Sequence, residues 1–174
     1  MDFSRYGDCW FALQVRRGYE THVGTLLHQK GYEQFVPTYS CKRRWSDRWK
    51  DVELPLFTGY VFCKFSIEVR APIITTAGVI RIVGTGKRPV PVETSEIEAI
   101  RAVVTSGLRT RPHPYLAVGS KVRIAQGPLT GIEGVLSGHK GEYLVLSVRA
   151  IQGSMAVVVD AHSVTSLGEE VLVH

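Results

Sequence analysis

The chain has 174 residues, of which 44% are hydrophobic and 21% charged, and its mean hydropathy is +0.03. These values fit one globular domain or two small ones and exclude fibrous and disordered chains. The net charge of +5 is uneven, with 17 Lys and Arg against 11 Asp and Glu through Arg111 and 4 against 5 beyond it, which turns the first part toward nucleic acid or an acidic partner. Cys9, Cys41 and Cys63 are odd in number and none has C-x-x-C spacing, so a reduced cytoplasmic location follows. The opening MDFSRYGD has no apolar h-region, and no apolar run approaches the about 18 residues of a membrane helix, so neither export nor a membrane span is expected.

CWFALQV, residues 9–15, is apolar, aromatic and β-branched, as a buried strand is, and Arg16-Arg17-Gly18 stops it. Tyr19, Val23, Leu26 and Leu27 then share one helical face, with Gly31 as the C-cap. A second strand starts at Gln34 and runs through Tyr39 into KRRWSDRWK, residues 42–50, where five cations and two tryptophans surround one acid. Ser46-Asp47-Arg48 supplies the turn, which places Trp45 opposite Trp49 on a protruding hairpin. Such a cross-strand aromatic pair contributes roughly 0.2–1 kcal/mol, giving the indoles a role outside any core.

Leu56–Phe65 reads as a central strand with a bulge or close approach at Gly59. Ile67–Ala77 is a short helix interrupted or started near Pro72, Val79–Val83 a further strand, and GTGKRPVPV a loop. Ser95 and Glu98 have capping-box spacing ahead of Ile97, Ile100 and Val103 or Val104, the face of a third helix. The order is βαββαβα. Residues 106–116, SGLRTRPHPYL, break every period and read as an extended linker, at most about 35 Å long. Beyond it KVRIA, GVLSG, YLVLSV and MAVVV are short strands between glycines, which suits a small closed barrel. The domains expected are therefore 1–105 and 117–174, joined by 106–116. The class is α+β, an antiparallel sheet with flanking helices followed by a β-barrel.

These pieces resemble the NusG-type transcription elongation factors, including the operon-specific RfaH, LoaP and UpxY antiterminators. The resemblance rests on Trp10-Phe11-Ala12-Leu13, Gly18-Tyr19-Glu20, Pro55-Leu56-Phe57-Thr58-Gly59-Tyr60-Val61-Phe62, Gly78-Val79, Val118-Gly119 and the run from Gly127 to Val135, GPLTGIEGV. It implies an N-terminal NGN domain and a C-terminal KOW domain of Src-homology-3-like form, a monomer with no cofactor, metal or catalytic set. By the same resemblance an apolar NGN face docks on the clamp helices of RNA polymerase and disfavours pausing. Trp10, Phe11, Phe57, Tyr60 and Phe62 are the residues carried over. Alternation along LFTGYVF puts Tyr60 and Phe62 on one side.

The family also implies contact with the non-template strand or upstream DNA, or in LoaP-like members with a leader RNA hairpin. Lys42, Arg43, Arg44, Trp45, Arg48 and Trp49 are placed for it. The cations replace counterions on phosphate, and an indole stacks on an unpaired base for roughly 1–3 kcal/mol. Arg16 and Arg17 match a basic pair near the same DNA. The plainer reading is a solvated ribbon whose charges blunt an edge. Val69-Arg70-Ala71-Pro72 stands where RfaH-like proteins have a His-Thr-Thr-Thr run, so that second polymerase anchor is not expected.

In housekeeping relatives the barrel binds the ribosomal protein NusE or the termination factor Rho at a strand edge, and the aligned positions are Ile151 and Met155. Strand addition works through main-chain bonds, so Ile151 in place of an aromatic does not remove it. Val145, Val148 and Val157-Val158-Val159 favour strands over the helical hairpin that the RfaH barrel can become. Gly127, Gly131 and Gly134 are expected in tight turns at positive φ. GTGKRP lacks the glycine spacing, Ser or Thr, and helix of a phosphate loop. His22, His28, His113, His139, His162 and His174 have neither metal spacing nor a nucleophile beside them, so no enzyme is expected. The rival class is an RNA-binding module, since KOW barrels also occur in ribosomal proteins.

Overall fold

The computed structural model describes residues 8–116, 119–137 and 143–169. The segment 1–7, Val118, His139 and His174, all named above, lie outside these residues. In chain order the elements are β1 (Cys9–Val15), α1 (Glu20–Gln29), β2 (Glu33–Phe35), β3 (Thr38–Trp45), β4 (Arg48–Pro55), β5 (Tyr60–Phe65), α2 (Ala71–Ile74), β6 (Val79–Ile82), β7 (Gly84–Thr85), β8 (Arg88–Pro89), β9 (Pro91–Val92) and α3 (Thr94–Thr105). There follow β10 (Thr110–His113), β11 (Ser120–Ile124), β12 (Glu133–Ser137), β13 (Tyr143–Val148), β14 (Gly153–Val158) and β15 (Val164–Glu169). By proximity the described residues fall into two compact units: those of Met1–Val36, Phe57–Thr94 and Arg149–Ile151, and those of Pro37–Leu56, Ser95–Val148 and Gln152–His174.

The first unit is built on an antiparallel sheet in the order β2-β5-β1-β6, with β9 also pairing β1. Side chains alternate between the faces of a strand. Phe11, Leu13 and Val15 of β1 therefore join Val61, Cys63 and Phe65 of β5 in one core, closed by Val23 and Leu27 of α1 and Ile73 of α2. Gly24 lies beside that stripe because a Cβ there would come within 2.9 Å of the Val36 side chain. Helix α1 ends as the sequence suggests: Gly31 has φ +85°, and the next N–H, of Tyr32, donates to the Leu27 carbonyl at 3.1 Å.

Two strands differ from their expected bounds. Pro37 has no N–H to give a ladder, and the run expected from Gln34 through Tyr39 splits there, leaving β2 in the sheet and starting β3 anew. Leu56 to Gly59 form a turn and not strand, so β5 begins only at Tyr60. The expected loop 84–92 carries the small β7–β8 hairpin, with Gly86 at φ +61°, and β9.

In the second unit α3 buries Ile97, Ile100 and Val103, the stripe read from the sequence. Strands β3 and β4 form a separate two-stranded ribbon. The remaining strands make an antiparallel sheet in the order β10-β14-β13-β12-β11-β15, in which β11, the first strand expected of the barrel, pairs β15, a strand the sequence pattern does not predict. Its interior holds Val122, Ile124, Leu144, Val148, Met155 and Val157. Gly127 and Gly131 have φ +92° and +88°, as turn glycines should. Gly134 does not, which corrects the expectation for it: it lies in β12, and a Cβ there would come within 2.7 Å of the Val145 carbonyl of β13.

Candidate nucleic-acid and protein interfaces

The ribbon pairs from Thr38↔Pro55 to Trp45↔Arg48 and leaves Ser46-Asp47 as a two-residue turn. This corrects the expected three-residue turn and the Trp45–Trp49 pair. Trp45 stands opposite Arg48, and Trp49 opposite Arg44. Opposed residues share a face and adjacent ones do not, so shortening the turn by one residue sends the indoles to opposite sides. One side carries Arg43, Trp45, Arg48 and Lys50, the other Lys42, Arg44, Trp49 and Asp51.

Both indoles face solvent, Trp45 at 57% and Trp49 at 66% exposure. The Lys50 ammonium lies 5.1 Å from the centroid of the Trp45 ring. Among the described residues none of the five ribbon cations is paired with a carboxylate. The root of the ribbon is fastened instead of free. Cys41 and Val52, then Tyr39 and Leu54, are half-buried opposed pairs. Ser40 donates to Glu53, and that bond, with a further one from Thr38, holds the Glu53 carboxyl below its ordinary pKa. The Leu56 N–H donates to the Pro37 carbonyl at 2.8 Å. A firm base thus presents a tip of exposed aromatic surface and unneutralised charge, the combination that stacks bases and attracts phosphate.

On the first sheet, Trp10, Tyr60 and Phe62 lie on the face away from the core described above, since Ala12 opposes Phe62 and Gln14 opposes Tyr60. Phe35 joins them opposite Phe62, with ring centroids 6.4 Å apart, and Phe57 meets Phe62 edge-on at 5.8 Å. Phe11 does not belong here, which corrects its assignment to the docking face. It alternates to the helix-covered side and packs on Phe65 at 4.9 Å. The aromatics of this face are largely closed over. Phe62, Trp10 and Phe57 are 0%, 3% and 5% exposed, and Tyr60 and Phe35 are half-buried.

The turn that delivers Tyr60 is fixed from both sides. Gly59 takes φ +84°, its N–H donates to the buried Glu20 carboxylate at 2.7 Å, and its carbonyl accepts from Val15 N–H at 2.8 Å. Sequence reading gave Glu20 no such role. An acid in the first turn of a helix is ordinary, and its partner lies 39 residues away.

A family model described as "Transcription termination factor nusG" matches residues 8–101, more than half of the chain and all of the first sheet. The chain belongs to the NusG family. NusG of Lactococcus lactis subsp. lactis is 27% identical over 173 residues, covering 91% of this chain and 92% of that protein. NusG of Pseudomonas aeruginosa is 27% identical over 140 residues, 73% of this chain and 79% of its own. A solved Thermotoga maritima NusG matches the fold with a TM-score of 0.53 and 22% identity, covering 92% of this chain and 98% of that one.

Several residues expected from NusG-type resemblance have their own surroundings. Arg16 and Arg17 are exposed at the end of β1, and the Arg16 guanidinium lies 5.3 Å from the centroid of the Tyr19 ring. They belong to the first unit and the ribbon to the second. Met155 is fully buried in β14, with Leu146 and Pro112 as its register partners, so its assignment as a partner-binding side chain is corrected: it fills the interior. Ile151 is half-buried at the end of a 3-10 turn. Val69-Arg70-Ala71-Pro72 spans the end of another 3-10 turn and the start of α2.

Among the described residues no helix is long and apolar enough to cross a membrane, and no three His, Cys, Asp or Glu gather to hold a metal. Burial pushes the Cys63 thiol up to about 12. Iodoacetamide at pH 8 should therefore modify Cys41 and Cys9 well before Cys63, and mass spectrometry of timed digests checks that order. Because the raised value favours the protonated folded form, the contribution of Cys63 to stability is complete below the ordinary thiol pKa of 9.0 and is lost as pH rises toward 12.

Proposed function

We propose that this NusG-family chain is a transcription elongation and antitermination factor, with an NGN domain at 1–105, a connection at 106–116 whose Thr110–His113 add to the second sheet, and a KOW domain at 117–174, working as a cytoplasmic monomer. The family match across the whole first sheet carries the reading, and the relatives named as transcription termination/antitermination proteins support it. The NGN face holding Tyr60 receives the clamp helices of RNA polymerase. Tyr60 makes the contact, and Trp10, Phe57 and Phe62 form the packed floor behind it. Binding bridges the cleft and disfavours pausing; no bond is made or broken. The ribbon cations and indoles, with Arg16 and Arg17, then meet the non-template strand or upstream duplex. The KOW edge takes NusE or Rho, and the tryptophan-bearing basic ribbon favours an operon-specific role.

The test is affinity for core RNA polymerase. Tyr60→Ala should weaken it about 10-fold or more, the size of an interface hot spot, while the melting temperature stays within about 2 °C. Unchanged affinity would remove Tyr60 from the contact and the docking face with it. The exposed ribbon also supports a second reading, recognition of a structured leader RNA. Tight binding of such an RNA by the purified chain without polymerase favours that reading; binding to elongation complexes alone favours the first.

A further inference from the structure

Residues 106–116 carry more structure than a tether needs. Thr110–His113 add to β14 as the outermost strand of the second sheet, in the register Thr110↔Val157, Arg111↔Ala156, Pro112↔Met155 and His113↔Ser154. The Val158 N–H donates to the Arg109 carbonyl at 3.1 Å. Farther along, Leu116 is held at both polar atoms: its N–H donates to Ser154 Oγ at 3.1 Å and its carbonyl accepts from Ser147 Oγ at 2.7 Å. The two serine hydroxyls are themselves 2.7 Å apart. The Arg111 guanidinium sits 4.3 Å from the centroid of the Tyr143 ring.

The register explains how proline is tolerated in this strand. Hydrogen-bonded and non-hydrogen-bonded pairs alternate in an antiparallel ladder. With Arg109 and Val158 bonded, Arg111 and Ala156 come next, and Pro112 falls in a non-bonded pair, where its missing N–H would point away from β14. The outer edge of β10 is therefore blunted against a further strand while its inner edge is satisfied. No strap residue is among the fully buried apolar residues; Thr110 and Pro112 share a face with Val157 and Met155, and Leu116 is half-buried. Main-chain bonds, two serines and one exposed cation–ring contact hold it. An extended segment of another protein could make the same ladder.

We propose that residues 109–116 are an intramolecular strap on the β14 edge, and that an extended polypeptide segment binds the barrel by displacing it. This rests on the reading of the barrel as a partner-binding module and adds its regulation. Displacement also changes reach. With the strap seated, only Ser106-Gly107-Leu108 separate α3 from Arg109, about 10 Å of chain; with it released, residues 106–116 span about 35 Å. Engaging a partner and lengthening the tether are then a single event.

The probe is a dye-labelled peptide of the strap's own sequence, LRTRPHPYL, residues 108–116, so the outcome does not depend on polymerase, ribosome or Rho. A full chain with residues 109–114 replaced by Gly and Ser should bind it at least 10-fold more tightly than the native chain. Thr110→Cys with Val157→Cys, a non-bonded pair suited to a disulfide, should abolish binding when oxidised and restore it when reduced. In the native chain, saturating peptide should raise hydrogen exchange at the Leu116 amide at least 10-fold. A folded Gly/Ser chain that ignores the peptide, or an oxidised chain that binds as well as the native one, overturns the strap. If the Gly/Ser chain does not fold, Arg111→Ala alone must raise exchange at Leu116 several-fold, and an unchanged rate rejects the proposal equally.

Discussion

Phe62→Ala should lower the free energy of unfolding by about 3–5 kcal/mol, the usual cost of deleting a sealed aromatic. Phe62 has no exposed surface, and its ring packs against those of both Phe35 and Phe57, so its removal leaves a cavity and takes away two ring contacts. A domain is stable by only about 5–15 kcal/mol, and a loss of this size is visible as a large fall in the urea midpoint with little change in slope. Trp45→Ala, on the exposed ribbon, should stay within about 0.5 kcal/mol of the native chain. A cost below about 1 kcal/mol at Phe62 would mean that the floor behind Tyr60 is not packed as described.

The second large effect concerns charge. Replacing Arg43, Arg44 and Arg48 together by Ala should weaken nucleic-acid binding on the order of 10²-fold at 0.1 M salt. It should also flatten the plot of log affinity against log salt by about 2.7 on duplex DNA or about 2 on a single strand, if each arginine releases one counterion. An unaltered slope would return the ribbon to the status of a solvated edge. The indoles add a geometric check. Trp45 and Trp49 lie on opposite sides, so a single strand bound along one side should lose about 1–3 kcal/mol with one Trp→Ala change and little with the other.

Much of this was legible in the residues. The alternation in CWFALQV and the i, i+4 spacing of Val23 and Leu27 lead directly to the sheet and the helix that covers it. The ribbon was legible as well, because cations that dense do not enter a core. Its sidedness was not. A two-residue and a three-residue turn fit the letters SDR equally, and one residue of slip exchanges every side chain between faces.

The burial of Phe62 was hidden for a related reason. A central strand has two faces, and its own pattern does not tell which is covered. Phe11 and Trp10 cannot share a face, because neighbours in a strand alternate, and the resemblance that groups them overrides that constraint. The strap escaped because Pro112 and Pro114 read as linker, and a proline is compatible with an edge strand only where the partner strand's register leaves its nitrogen unneeded.

The pinned Gly59 has a mechanical consequence. Its amide hangs from the first residue of α1 and its carbonyl from the end of β1, so the tyrosine that follows is mounted on a rigid bracket. A load applied at Tyr60 passes into a helix and a central strand and is not spent in bending a loop. Whatever grips that ring meets it already aimed, and little chain entropy is surrendered on arrival.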